Sequence, residues 1–116
     1  MRSYFLYYFF TFCFAFPALA ADKNGKYTNL SFGTKSCGEV VTDFKENSRG
    51  KFINSIWIAG YITAINERVA NRSNIATGTE PEAWNLWINN YCSMNPLESL
   101  ASSTSALVAE LTKKNP

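Results

Sequence analysis

The stretch WNLWINNYCSMNPLE, residues 84–98, decides how this chain folds. Its large apolar residues recur at spacings of three and four, which places them along one face of an α-helix. That face consists of Trp84, Trp87, Ile88, Tyr91 and Cys92. Asn95, Pro96 and Glu98 then form a helix-start pattern, as an N-cap, a first-turn proline and a capping-box carboxylate. The stretch therefore predicts a helix that ends near residue 94 and another that begins at Pro96.

Three other segments also have apolar residues at helical spacing, and no segment after residue 21 shows sustained strand alternation. Ser36 and Glu39 form a capping box at the start of the first helix, and residues 47–50 have the composition of a turn. Thr79 is the expected cap of the third helix. The helices are predicted near residues 37–47, 51–71, 80–94 and 96–113. The fold class is therefore all-α, a small four-helix domain.

The helix at 51–71 has apolar residues on more than one side, so we expect it to be the central and most enclosed helix. Gly60 lies inside it, where glycine costs about 1 kcal/mol relative to alanine. We interpret Gly60 as a position where another helix or a bulky ring approaches the backbone. The last helix carries a continuous apolar stripe from Leu97 to Leu111.

Residues 1–20 have the pattern of an export signal. Arg2 precedes an uncharged apolar run, and Ala18-Leu19-Ala20 supplies the small-x-small motif of a cleavage site after Ala20. A retained membrane anchor is the alternative, but it needs about 20 apolar residues and this run is shorter. We predict a signal peptide at 1–20, an extended polar leader at 21–35 and a helical domain at 36–116. The mature protein is then periplasmic or secreted and free of the membrane.

The mature chain retains two cysteines, Cys37 and Cys92. In an exported protein an even pair most simply forms a disulfide. This bond would close a loop of about 55 residues and contribute on the order of 4 kcal/mol by chain entropy. The alternatives are a two-cysteine metal half-site, which lacks further ligands, and a catalytic cysteine, which lacks a histidine partner.

Composition excludes several classes of function. The chain has no histidine, which removes histidine triads, histidine metal sites and histidine pH switches. Without residues 1–20 it has ten Lys and Arg against nine Asp and Glu, too little clustered positive charge for nucleic acid. Glu39, Asp43 and Glu46 share a helix, and we interpret them as a solvated face rather than an acid–base pair. We predict no enzyme, no metal and no cofactor.

The polar loop at 71–79 is the sequence's best candidate for recognition, because loops carry binding residues more often than packed faces do. A solvated connector is the alternative. The predicted partner contacts are Arg72, Ser73, Asn74, Ile75 and Thr77. The three tryptophans are interpreted as core residues rather than as a ligand cage.

Three parts of the sequence resemble a group of small exported bacterial proteins: Cys37, the motif WIAGY at 57–61 and the motif WINNYCSMNPL at 87–97. The chain resembles the Rap/Tai immunity family, which neutralises peptidoglycan amidase toxins of type VI secretion. It is more weakly similar to the HdeA-like periplasmic acid chaperones. The resemblance implies a Cys37–Cys92 bridge and a homodimer. It also implies a scaffold of Gly60, Tyr61, Trp87, Tyr91 and Pro96. We assign Trp57 and Trp84 to the same scaffold, as core tryptophans.

Two functions follow as expectations. The first is a protein-binding inhibitor, an immunity protein that occludes an amidase effector by presenting the 71–79 loop to its cleft. The second is a periplasmic acid-stress chaperone, in which protonation below about pH 4 loosens the fold and exposes apolar surface.

Overall fold

The computed structural model describes residues 30–68 and 74–116, and in these residues the chain folds into helices without a strand. The helices are α1 (Cys37–Glu46), α2 (Ser48–Arg68), α3 (Pro81–Met94) and α4 (Leu100–Lys114). A 3-10 turn at Ser31–Thr34 precedes them, where the sequence predicted extended chain. The prediction of an all-α, four-helix fold is confirmed. The predicted signal peptide at 1–20 lies outside the described residues.

The first helix begins as its sequence predicts. The Glu39 amide donates a hydrogen bond of 3.3 Å to Ser36 Oγ, and the Ser36 amide donates one of 3.0 Å to Glu39 Oε2. This reciprocal pair satisfies amides that have no partner within the helix. The predicted capping box is confirmed.

The predicted turn at 47–50 is wrong, because a single residue, Asn47, separates α1 from α2. Its Nδ2 donates to Asp43 Oδ1 at 3.1 Å, and its Oδ1 accepts from the Gly50 amide at 3.0 Å. One side chain therefore binds to the last turn of α1 and the first turn of α2, and Gly50 is already helical.

The predicted start of the last helix at Pro96 is also wrong. Asn95 closes α3 instead, with its Nδ2 donating to the Tyr91 carbonyl at 2.9 Å. The cap of α4 is Ser99, whose Oγ accepts from the Ser102 amide at 3.1 Å. Two cap residues only four positions apart serve different helices, which leaves residues 96–98 outside both.

The start of α3 differs from the prediction in its cap. Glu80 occupies the N-cap position without a side-chain cap bond, and Pro81 follows in the first turn as predicted. Thr79 Oγ1 accepts a 2.8 Å hydrogen bond from Trp84 Nε1 and donates one of 2.6 Å to the Ala76 carbonyl. Thr79 therefore holds the preceding loop against α3 instead of capping the helix.

The core lies among all four helices and the loop before α3. A disulfide joins Cys37 to Cys92 with their Cα atoms 4.7 Å apart, which confirms the predicted pairing and ties the start of α1 to the end of α3. α1 packs against both α2 and α3. The buried apolar residues around this bond are Val40, Ile58, Ile62, Ile75, Ile88, Leu100, Leu107 and Leu111.

α2 is not the most enclosed helix that its composition suggested. Phe52 and Ile56 are 64% and 56% exposed, because only one stripe of α2 is buried. Its buried positions recur every four residues, at Gly50, Asn54, Ile58 and Ile62. Gly60 is exposed, and a Cβ added there would meet no atom within 4 Å. The predicted close approach occurs instead at Gly33, where a Cβ would clash with the Trp57 ring. Within the described ranges, no helix combines the length and hydrophobicity required to span a bilayer.

Candidate functional site

The loop before α3, predicted to present contacts to a partner, is anchored in the core. Ile75 is 1% exposed, so the expectation that its side chain contacts a partner is wrong. Its amide donates to Asn66 Oδ1 at 3.0 Å, and its carbonyl accepts from Asn115 Nδ2 at 2.8 Å. The ends of α2 and α4 therefore both hold this residue.

The remaining loop residues divide into two groups. Asn74 and Thr77 are exposed, although Asn74 Oδ1 accepts from Asn66 Nδ2 at 2.8 Å and the Thr77 carbonyl accepts from Asn115 Nδ2 at 3.1 Å. Arg72 and Ser73 lie outside the described residues. The described part of the loop is therefore a fixed connector with two accessible side chains.

The segment that joins α3 to α4, residues 94–99, is called the corner here, and it carries the two large hydrophobic residues of highest fractional exposure in the described part of the chain. Leu97 is 99% exposed and Met94 is 75% exposed. Residues 94–98 line an open depression of about 280 Å³. Leu97 was expected to start the buried stripe of the last helix. It lies outside the helix because α4 begins three residues later.

The corner and the start of α4 are held by backbone bonds to residues 35–38, which precede α1 and form its first turn. The Cys37 amide donates to the Glu98 carbonyl at 2.7 Å, and the Gly38 amide donates to the Pro96 carbonyl at 3.2 Å. In the other direction, the Leu100 amide donates to the Lys35 carbonyl at 2.9 Å. The disulfide joins Cys37 to Cys92, which lies in α3 just before the corner. Leu97 is thus displayed between two backbone carbonyls that are both hydrogen-bonded to α1.

A polar cluster lies beneath residues 35–38. Lys35 Nζ contacts Asp43 Oδ2 at 2.7 Å, with the two side chains 19% and 12% exposed. Asn54 is fully buried, and its Nδ2 donates to Asp43 Oδ2 at 3.0 Å. Asp43 therefore does not belong to a solvated face, and that interpretation is wrong for this residue. A Cβ at Gly50 would clash with the Asp43 carboxylate, so the cluster also requires the glycine.

The surroundings of Asp43 favour its charged form. Burial raises the pKa of this carboxyl and is the largest single influence, but hydrogen bonds from Lys35, Asn54 and Asn47 and the Lys35 charge together outweigh it. The pKa of Asp43 therefore lies below its ordinary value. The pKa of Glu39 is also lowered, first by the hydrogen bond from the Ser36 hydroxyl and then by that from its amide. Both carboxylates stabilise structure through ionised hydrogen bonds.

The aromatic residues assigned to the scaffold form two pairs. The Trp57 and Tyr61 rings lie 5.4 Å apart between centroids, and the Trp87 and Tyr91 rings lie 5.4 Å apart and nearly parallel. Trp57, Trp84 and Trp87 all pack against the core cluster while remaining half-buried. Pro96 is exposed in the corner, and Gly60 contacts nothing beyond its own helix.

Neither a metal centre nor a known relative accounts for these features. Within residues 30–68 and 74–116, no group of three or more cysteine or acidic side chains is placed to hold a metal ion. No protein-family model matches the chain, and no curated protein or solved structure matches it. The site must therefore be interpreted from the chain's own geometry, and its most distinctive surface is a fixed corner that displays Leu97.

Proposed function

We propose that this protein is an exported protein-binding module that inhibits its partner by steric occlusion, with the corner as the contact surface. The observation that supports the proposal is the 99% exposure of Leu97 on a segment whose Pro96 and Glu98 carbonyls are hydrogen-bonded to the first turn of α1, next to the Cys37–Cys92 disulfide. The resemblance to the immunity family suggests that the partner is a peptidoglycan amidase.

A fixed apolar anchor suits inhibition for an energetic reason. Moving a leucine side chain from water into an apolar cleft is worth about 1.5 to 3 kcal/mol. When a flexible loop binds, part of this transfer free energy is offset by the entropy cost of ordering the loop. A preorganised loop does not incur that cost. Because the corner is already ordered, Leu97 and Met94 can supply most of their transfer free energy to a complex. Such central, buried anchors dominate the affinity of many interfaces.

The test requires an exported peptidoglycan amidase, sought among the genes that neighbour this one, then purified and assayed on peptidoglycan. We expect the mature protein to inhibit it stoichiometrically and Leu97→Ser to weaken inhibition by at least tenfold, which corresponds to about 1.4 kcal/mol. Phe52→Ser is the matched control, because Phe52 is also an exposed apolar residue, 64% accessible, but lies on α2. Equal inhibition by Leu97→Ser and wild type would remove the corner from the proposal.

Acid-stress chaperone activity is a second candidate, and the Asp43 cluster is the observation that favours it. Lys35, Asp43 and Asn54 connect the start of α1, its last turn and α2, and protonation of Asp43 removes the ionised acceptor they share. Circular dichroism, apolar-dye binding and aggregation of a client protein, followed from pH 7 to pH 2, test this candidate. Reversible loosening together with suppressed aggregation would favour the chaperone, and an unchanged fold would favour the inhibitor.

A further inference from the structure

A second surface feature lies at the N-terminal half of α3, whereas the corner follows its C-terminal end. Here α1, α2 and α3 enclose a pocket of about 180 Å³. We call it the carboxamide pocket, and its lining residues are Phe44, Lys51, Glu82, Asn85, Leu86 and Asn89. Its volume exceeds the roughly 150 Å³ that accommodates a benzene ring in an apolar cavity. One leucine- or phenylalanine-sized group can therefore enter it.

One carboxamide oxygen of this pocket lacks a protein partner. Asn89 Oδ1 is buried and accepts no hydrogen bond from the described residues. Asn85 is 5% exposed, and its carboxamide takes part in none of the described side-chain hydrogen bonds at α3 and its C-cap, which involve Trp84, Ser93 and Asn95. Buried polar atoms are almost always paired in folded proteins, so Asn89 Oδ1 indicates a ligand that supplies the missing partner.

The charges of the pocket narrow the chemistry of that ligand. Lys51 Nζ and Glu82 Oε2 lie 3.7 Å apart and offset one another. No net charge is therefore available to hold a phosphate or a carboxylate. Phe44 and Leu86 supply apolar walls. Asn89 Oδ1 supplies a hydrogen-bond acceptor, and Asn85 Nδ2 supplies hydrogen-bond donors. The arrangement fits a neutral group that combines an apolar side chain with an adjacent amide.

We propose that the carboxamide pocket binds a peptide segment of the partner protein. An apolar side chain of the segment enters between Phe44 and Leu86. A neighbouring backbone N–H donates to Asn89 Oδ1, and a backbone carbonyl accepts from Asn85 Nδ2. A saccharide fits less well, because its several hydroxyl groups would each need a hydrogen-bond partner. The other polar side chains that line the pocket, Lys51 and Glu82, already pair with each other. The assignment rests on the proposed protein-binding function and adds a second contact to the corner.

The probe is N-acetyl-leucinamide, which carries an isobutyl side chain between two amides. Titrated into the ¹⁵N-labelled mature protein, it is expected to shift the side-chain NH₂ signals of Asn85 and Asn89. We expect Asn89→Ala to weaken its binding at least tenfold, and Asn90→Ala, the exposed neighbour on α3, to leave it unchanged. Leu86→Ser provides a second variant at an exposed rim position, with the same expected loss.

Three results would overturn the assignment. One is equal binding of N-acetylglycinamide, which lacks the side chain, and another is a shift produced by N-acetylglucosamine but not by the leucine probe. The third is a dimer of this chain that Asn89→Ala dissociates while the probe does not bind. Partner assays separate the two proposals: inhibition that is lost with Leu97→Ser but retained with Asn89→Ala removes the pocket and keeps the proposed function.

Discussion

The segments on either side of α3 use their apolar residues in opposite ways. In residues 74–80, Ile75 and Ala76 are buried, and polar side chains and carbonyls around them bind to α2 and α4. In the corner, Met94 and Leu97 face solvent, and the backbone supplies the attachments. Backbone atoms make hydrogen bonds in both segments, but only residues 74–80 also insert a large side chain, Ile75, into the core. The difference shows that backbone bonds alone can fix a segment and leave its apolar side chains exposed.

The variant with the largest expected effect on stability removes the disulfide. The bond closes a loop between residues 55 positions apart, so Cys37→Ala/Cys92→Ala is expected to lower the free energy of unfolding by about 4 kcal/mol in urea titrations. Amide hydrogen exchange should increase more in the corner than at residues 75–79, because only the corner adjoins the bond. Equal increases in both segments would contradict the contrast.

The next test compares one apolar residue from each segment. Ile75→Ala leaves a cavity in the core, and we expect a loss of about 3 kcal/mol in unfolding free energy. Leu97→Ala is the matched control, and a change within about 0.5 kcal/mol is expected because its side chain is already in water. Similar losses in the two variants would mean that Leu97 packs in solution.

The polar cluster offers a pH-dependent test of the corner's support, since the Lys35 carbonyl binds the Leu100 amide. Asp43→Asn removes hydrogen bonds to a charged group that is only partly shielded from water, and a loss of about 1 to 2 kcal/mol is expected at pH 7. The pKa of Asp43 is lowered by folding, so its contribution is complete above the unfolded value of 3.8 and disappears as the pH falls through the folded value.

This prediction is checked by urea unfolding of wild type and Asp43→Asn at pH 7 and at successively lower pH below 4. The two proteins should converge in stability as Asp43 becomes protonated. A difference that stays constant across this range would show that the substitution acts through packing instead of charge.

The smallest expected effects come from single hydrogen-bonding side chains. Ser99→Ala removes the cap of α4 at the corner, and Asn115→Ala removes two bonds to the 74–80 segment. Each should cost about 1 kcal/mol. Hydrogen exchange should rise at the amides of residues 100–103 in the first variant and of residues 75–79 in the second. A rise in the opposite segment would show that the two segments are coupled.

The sequence predicted the elements that depend on local patterns. The helical spacing of α1, α3 and α4 and the Ser36–Glu39 capping box follow from short-range chemistry. The Cys37–Cys92 pair is long-range, but it was predictable because the expected mature chain contains only these two cysteines. It could not predict the Asp43 cluster, because Lys35 and Asn54 meet Asp43 only in the folded chain. The sequence did hint at the role of Asn54, because this polar residue interrupts the apolar pattern of α2. In the structure its side chain is fully buried.

The exposed corner and the buried Ile75 were not predicted, for a related reason. Asn95-Pro96 matched a helix start, but Ser99 supplied a competing cap four residues after Asn95. Because α4 begins after Ser99, Leu97 lies outside the helix and is exposed. The loop at 71–79 was judged by its polarity, and one isoleucine within it outweighed the composition. Both errors arise because tertiary contacts decide between local signals of similar strength.

Asn47, the single residue between α1 and α2, has a consequence for how this chain can diverge. An α-helix turns by about 100° per residue, so one inserted residue would rotate the whole of α2 about its axis. Asn54 would then leave Asp43, and Ile58 and Ile62 would leave the interior together. An insertion that extends α2 at this junction is therefore expected to disrupt the core, because one asparagine sets the register of the longest described helix.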